Sequence, residues 1–216
     1  MKGHSERVPN KNLKLFCGKP LYHHVLNILL KSGIIDDIII NTDCEKIERD
    51  LKINFLNKVV IHKRPNSITG DYVSMNKIIE YDLSKSNSDI YIQTHSTNPV
   101  LLTKSLDSAL NMFKDLIAKK SHDSVFSVTK TQKRFYDHDV SPLNHDPSML
   151  VTQHLKPIFE ENSCFYIFTK KSFSSNNSRI GTSPYMYEID KIESIDIDEK
   201  EDFFIAEAVF NLLRKK

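Results

Sequence analysis

Two stretches of this chain carry side chains suited to phosphate and metal chemistry. The first is "MKGHSERVPNKN", residues 1–12. Lys2, Arg7 and Lys11 bring three cations, and Gly3 and Ser5 supply a turn between them. Phosphates are held by backbone N–H groups in glycine-bearing turns together with a few Lys or Arg side chains. Pro9 stiffens the segment, and the Asn12 amide both donates and accepts. Neither GxxxxGK[ST] nor GxGxxG occurs here, so this is neither a P-loop nor a dinucleotide fingerprint. Alone, the stretch reads equally well as a solvated basic terminus.

The second stretch is "ESIDIDEKED", residues 193–202. Alternate residues of a strand share a face. Ile195 and Ile197 are then expected in the core, with Asp196 and Asp198 together on the other side, roughly 7 Å apart at Cα. Two carboxylates so placed grip a hard divalent ion while phosphates and water complete its shell, the usual arrangement for Mg2+. A solvated edge strand shows the same alternation and is slightly favoured on pattern alone. The position directly before a terminal helix raises the metal reading.

Weaker constellations lie between. "YIQTHSTNP" (residues 91–99) runs from a buried strand into a polar loop with Gln93 and Thr94, where open α/β sheets place ligands. Ordinary turn chemistry and an N-cap explain it as well. "INTD" (residues 40–43) poses the same choice. "HKRPNSITGDYVS" (residues 62–74) sets Arg64 beside a turn, as a phosphate ligand or a surface cation with equal weight. "IFEENSCFYIF" (residues 158–168) leads Glu160, Glu161 and Asn162 into an aromatic strand that suits a sugar wall or plain core.

The elements that must position these residues follow from periodicity. Helical spacing marks residues 20–33, "CEKIERDLKI", "VSMNKIIEYDLSK", "KSLDSALNMFKDLIAKK" and the last eighteen residues. β-Branched runs mark "DDIIINT", "NKVVIHK", "SDIYIQT", "DSVFSVTK", "NSCFYIFTK", "PYMYEID" and "SIDID". Alternating strands and helices predict a single α/β domain over residues 1–216, its sheet mainly parallel and flanked by helices. Residues 131–155 break the pattern with prolines and polar residues and read as an inserted arm. A ligand loop in such a fold follows a central strand, yet no apolar run precedes residues 1–12. We therefore expect a short apolar strand upstream of Met1 in the natural protein, which mass spectrometry of the native amino terminus tests.

Composition bounds the rest. The 216 residues include 27% charged and 39% hydrophobic side chains, with a formal charge of +2. That near balance does not argue for nucleic acid. Three cysteines without a CxxC pair fit free thiols, and no stretch is apolar enough to span a bilayer. The opening residues lack the apolar core of a leader, so the expected setting is the cytoplasm. Nine histidines are scattered, with no HExxH arrangement.

Singly these features are weak; their order is specific. "KGHSERVPNKN", "INTD", "RP…GD", "IQTHSTNP", "ENSCFYIF" and "SIDID" together resemble the acylneuraminate cytidylyltransferases, whose opening motif is A-R-x-x-S-x-R-x-P-x-K-N. The resemblance runs over essentially the whole chain. It implies a Rossmann-like nucleotidyltransferase fold with a dimerisation arm at 131–155, and a homodimer. It implies transfer from CTP to a sialic-acid-like 2-keto sugar acid, with Mg2+ as cofactor and pyrophosphate as by-product. By the same resemblance, Lys2, Lys11, Asp196 and Asp198 are the catalytic set, and the two aspartates hold the metal. Gly3, Ser5, Arg7, Asn12, Arg64 and Ser74 surround the nucleotide. Gln93, Thr94, Gln153 and Asn162 face the acceptor.

The departures bear on the acceptor. Lys2 replaces an arginine, a point charge for a fork. Met75 stands where a serine is common. Thr152–Gln153 replaces an arginine–glutamine pair, and "ENS" replaces an N-G step. A legionaminic, pseudaminic or other 3-deoxy keto sugar acid is as well suited as N-acetylneuraminate. The alternatives are a 3-deoxy-manno-octulosonate-type cytidylyltransferase and a truncated, non-catalytic nucleotide-binding relative.

Overall fold

The computed structural model describes residues 1–148 and 151–214. A tight hairpin opens the regular structure: β1 (Leu15–Phe16) pairs antiparallel with β2 (Lys19–Pro20). Its two-residue turn puts Cys17 and Gly18 at φ 45° and 81°, as such hairpin turns require. α1 (Leu21–Leu30) follows at once, and Pro20, which lacks an N–H, stands at its N-cap. β3 (Ile39–Thr42), α2 (Glu45–Asn54) and β4 (Val60–Lys63) form a βαβ unit with parallel strands. α3 (Met75–Ser84) then leads to β5 (Tyr91–Thr94) and the long α4 (Thr103–Ala118).

The second sheet is mixed and ordered β5–β7–β6–β8, with β6 at Ser124–Thr131, β7 at Ile158–Phe168 and β8 at Pro184–Glu188. β7 runs against both neighbours, whereas β6 and β8 are parallel. Periodicity shows that strands are buried but not their direction, so the antiparallel β7 was not foreseen. α5 (Lys170–Asn176) links β7 to β8, and α6 (Lys200–Arg214) ends the described chain. No described helix is long and apolar enough to cross a membrane.

Three apolar clusters fix this frame. α4 lays Leu106, Ala109, Leu110 and Phe113 on Val125, Phe165 and Ile167 of the mixed sheet. Tyr22 and Leu26 of α1 meet Ile47 and Leu51 of α2 over β3. The third cluster joins Val8 of the opening segment to Phe16, Leu21, Ile197, Phe203 and Ala206. It ties the amino-terminal loop to the segment just before α6, so residues nearly 190 positions apart share one core.

Two expectations change. "SIDID" joins no strand ladder; Ser194 N–H donates to the Asp190 carbonyl at 3.1 Å and Ile197 N–H to the Thr97 carbonyl at 2.9 Å. The alternation survives because Ile197 is fully buried. α5 was not anticipated. It is only seven residues rich in Ser and Lys, but Thr169 and Ser172 form a reciprocal capping box at its start. Between β6 and β7 the expected arm is irregular, with one isolated bridge, Tyr136–Pro142, and a single short turn at Thr152–His154. Met149 and Leu150 of that arm lie outside the described residues.

Candidate active site

The two sheets do not pair with each other. β3 bonds to β4 alone and β5 to β7 alone among the described strands. Between them lies a cleft of about 1340 Å3, floored by apolar residues of α1, β3, α3 and β5 and rimmed at one end by polar ones. That rim contains Lys2, Ser5, Arg7, Lys11, Asp196 and Asp198.

The opening loop is held by the elements it crosses. Gly3 N–H donates to Asp43 Oδ1 at 2.9 Å. A Cβ on Gly3 would lie 2.7 Å from Cys44 Cβ and 2.8 Å from its Sγ, so only glycine lets the loop lie this close. Asn12 Nδ2 donates to the Lys2 carbonyl at 2.9 Å, and its Oδ1 accepts from Ser96 Oγ at 2.7 Å. Asn12 thus ties the loop to the end of β5. The Met1 amino group donates to the Asn41 carbonyl of β3. Burial, with Arg64 nearby, pushes that amine down to about 5.

Arg64 is 5% exposed. Its Nε donates to Asn41 Oδ1 at 2.8 Å and its Nη1 reaches Asp43 Oδ2 at 3.2 Å. Asp43 therefore links Arg64 to Gly3, and Arg64 orders the β3 end on which the loop rests. Asn41 in turn donates to Asp82, which also meets His62 Nδ1 at 2.7 Å.

The acidic segment faces the loop. Lys11 Nζ donates to the Ile197 carbonyl at 2.6 Å and to Asp198 Oδ1 at 3.0 Å. Arg7 reaches Asp198 Oδ1 at 2.8 Å and Glu199 Oε1 at 3.1 Å. The aspartates are electrostatically opposite. Burial raises Asp196, aided by Asp198 and only partly offset by a Thr97 hydrogen bond. Burial pushes Asp198 the same way, but Lys11 and Arg7 outweigh it and hold that carboxyl below its usual range. Asp196 Oδ1 is buried without a hydrogen-bond partner. An orphaned carboxylate oxygen beside a second carboxylate fits a hard cation. No cluster of three or more His, Cys, Asp or Glu side chains is placed to hold an ion among the described residues.

Other expected residues are dispersed. Lys2 Nζ pairs with Asp71 at 3.2 Å across the rim. Gln93 and Thr94 line the cleft at the end of β5. Ser74 caps α3, its Oγ accepting from Asn76 N–H at 3.2 Å. Gln153 is exposed in the arm, where its carbonyl accepts from Gln132 at 2.8 Å. Asn162 works inside the sheet. It accepts from Ser127 Oγ at 2.6 Å and donates to Thr129 Oγ1 at 2.8 Å, where the β6–β7 register shifts. Next to it Ser163 takes φ 58°, a left-handed angle that suits glycine.

A group not anticipated from sequence lies against Gln93 and His95. Arg179 Nη1 donates to Gln93 Oε1 at 2.7 Å and lies 3.3 Å from His95 Nε2. Its guanidinium stacks 3.7 Å from the centre of the Tyr166 ring. Burial, then Arg179, pushes His95 down to about 4, so at neutral pH its ring accepts rather than donates toward Arg179. Arg179 follows a Ser/Asn-rich helix with no motif around it, which hid it from the sequence.

A cation-rich loop pinned beside two unlike carboxylates at one end of an α/β cleft defines a nucleotidyltransferase-type site. The cytidylyltransferase family matches residues 1–213, and the chain belongs to it. N-acylneuraminate cytidylyltransferase A of Danio rerio is 29% identical over 215 residues, covering 95% of this chain and 48% of that protein. The N-acylneuraminate cytidylyltransferase of Streptococcus agalactiae serotype V is 22% identical over 222 residues, covering 92% and 49%. These bear out the resemblance seen in the motifs; the chain spans about half the length of the curated relatives it matches. In fold it is similar to CMP:2-keto-3-deoxy-manno-octonic acid synthetase complexed with CTP, with a TM-score of 0.71 at 14% identity, covering 99% of this chain and 96% of that one. A 4-diphosphocytidyl-2C-methyl-D-erythritol synthase from Anaerococcus prevotii follows at TM-score 0.65 and 14% identity, covering 91% and 88%.

Proposed function

We propose that this chain carries the catalytic domain of a Mg2+-dependent cytidylyltransferase that joins CTP to a sialic-acid-like 2-keto sugar acid. The observation that carries the reading is the meeting of Lys11 and Arg7 with Asp198 beside the orphaned Asp196 oxygen. The names of its relatives, N-acylneuraminate cytidylyltransferases, support the choice of nucleotide and acceptor.

The sugar's anomeric hydroxyl attacks the α-phosphorus of CTP, the α–β bridging P–O bond breaks, pyrophosphate leaves with the bridging oxygen, and the hydroxyl proton passes to solvent. Lys2, Arg7 and Lys11 offset negative charge on the triphosphate, and backbone N–H groups of the loop add fixed dipoles. Asp196 and Asp198 would hold Mg2+, which would neutralise phosphate charge. Asn12 and Arg64 keep the loop in register with β3 and β5, so catalysis is mainly positioning. Residues 131–155, with exposed Tyr136, Val140 and Leu143, would pair two copies of the chain.

The test is pyrophosphate release from CTP against N-acetylneuraminate, legionaminate, pseudaminate and 3-deoxy-manno-octulosonate, with and without Mg2+. Release with a nonulosonic acid, lost in Asp196→Asn, is expected. Thermal stabilisation by CTP no greater than by ATP, GTP or UTP sinks the reading.

A further inference from the structure

A positive charge next to the cleft-lining residues Gln93 and His95 is poorly compensated. The Arg179 side chain is 18% exposed. Its two close polar partners, Gln93 Oε1 and His95 Nε2, are both neutral acceptors, given the His95 shift. Among the described residues the one carboxylate paired with it, Glu161, stands 4.0 Å away and already accepts from the Tyr166 hydroxyl. Elsewhere in the site cations are matched: Arg7 and Lys11 meet Asp198, Lys2 meets Asp71, and Arg64 meets Asp43.

The guanidinium is also held still. Tyr166 is fully buried and presents a fixed ring face, against which the Arg179 plane stacks. Gln93 fixes one nitrogen from β5, and the capping box of α5 anchors the helix that leads into the Arg179 loop. A rigid, under-compensated fork is suited to a planar anion. Gln93, His95 and Ser163, all adjacent to this group, line the cleft, and His95 lies within electrostatic reach of Arg179, Asp198 and Lys11. The fork is thus close to the phosphate rim without belonging to it.

We propose that Arg179 is the specificity-determining residue of the acceptor site and receives the carboxylate of the sugar acid. The proposal rests on the functional reading above. It places the acid group on Arg179 and Gln93, with the anomeric hydroxyl directed toward the rim where Lys11 and Asp198 meet.

The experiment compares N-acetylneuraminate, legionaminate and 3-deoxy-manno-octulosonate with their methyl esters, in pyrophosphate release by wild type, Arg179→Gln and Arg179→Lys. The wild type is expected to prefer acid to ester by about 100-fold in kcat/KM, because an ester leaves the buried fork unpaired. Arg179→Gln should raise the acid's KM by 30-fold or more and erase the acid–ester preference. Arg179→Lys should fall between. CTP-induced thermal stabilisation, unchanged in the variants, reports that they are folded with an intact nucleotide site. An Arg179→Gln variant that keeps its acid–ester ratio overturns the assignment, as does a wild type that uses acid and ester equally, even should the variants not fold. If the wild type responds to CTP but a variant loses only kcat at unchanged KM, the carboxylate contact is also excluded. If no acid releases pyrophosphate with the wild type, the functional reading falls and this assignment with it.

Discussion

Two residues at the site carry measurable consequences of their own. Gly3 lies against Cys44, the N-cap of α2, so closely that a methyl group must displace the loop or the start of α2. Gly3→Ala is expected to cost about 1–3 kcal/mol by overpacking. It should also weaken CTP-induced stabilisation, since the loop's N–H to Asp43 is lost with the shift; an unchanged melting temperature and unchanged CTP response would refute the close-approach argument. His95 makes a pH prediction. Its pKa is lowered from 6.5 to about 4 by burial, then by Arg179, with Lys11 and the Met1 amino group adding and Asp198 opposing; Tyr166 is its ring neighbour. A folded-state value below the unfolded one means the unfolded chain binds the proton first as pH falls. The stabilisation is therefore full above about 6.5 and is lost as pH falls toward 4. The loss is on the order of 3 kcal/mol. In His95→Gln the fall in melting temperature between pH 7 and pH 5 should be visibly shallower than in the wild type. The Met1 amine acts with the same sign in both proteins and cancels in that comparison.

At the level of elements, the β6–β7 register shift explains why Asn162 reads as a site residue in the sequence but is employed as a staple. Its amide bonds Ser127 on one side and Thr129 on the other, and accepts from Cys164 N–H at 3.3 Å. Asn162→Ala takes a partner from the buried Thr129 hydroxyl and from the Cys164 N–H, while Ser127 Oγ keeps Phe165, at about 2–3 kcal/mol in total. That is a drop of roughly 4–12 °C for a chain of this size, and the acceptor's KM should stay within twofold. A large KM change without a stability change would return Asn162 to the acceptor site. The same bulge shows what a sequence discloses. The buried strands and the long helices were legible because burial period and residue type are local properties, and the same local signals put Lys11, Asp196 and Asp198 forward as candidates. The direction of β7, the short α5 and the partners of Asn162 depend on which strand lies beside which, and nothing local encodes that. Arg179 was illegible for the same reason: its meaning comes from Gln93 and Tyr166, 86 and 13 residues away.

Across the whole molecule, the split between the β3–β4 pair and the mixed sheet is the least satisfied feature of the fold. A strand buried among helices normally bonds on both edges, because unpaired backbone groups away from water are costly. Here β3 and β5 each bond one neighbouring strand, and the cleft between them is floored by Leu26, Leu29, Ile38, Ile78 and Ile92. β3 and β5 each have four residues, a length of roughly 13 Å at strand spacing. A segment of four or five β-branched residues joined ahead of Met1 spans about that length and suits that lining. Joining it also converts the buried Met1 amine, already pushed down to about 5, into an amide that cannot carry charge. Such an extension is expected to raise the melting temperature by 5 °C or more, lower the binding of hydrophobic dye to the cleft, and increase the CTP response, since the rim loop would then rest on paired strands. A scrambled extension of equal length with alternating Asp and Gly is the control. Equal melting temperatures for the two would show that the cleft does not take a strand. In that case the phosphate-facing loop depends on Arg64, Asp43 and Asn12 alone for its position.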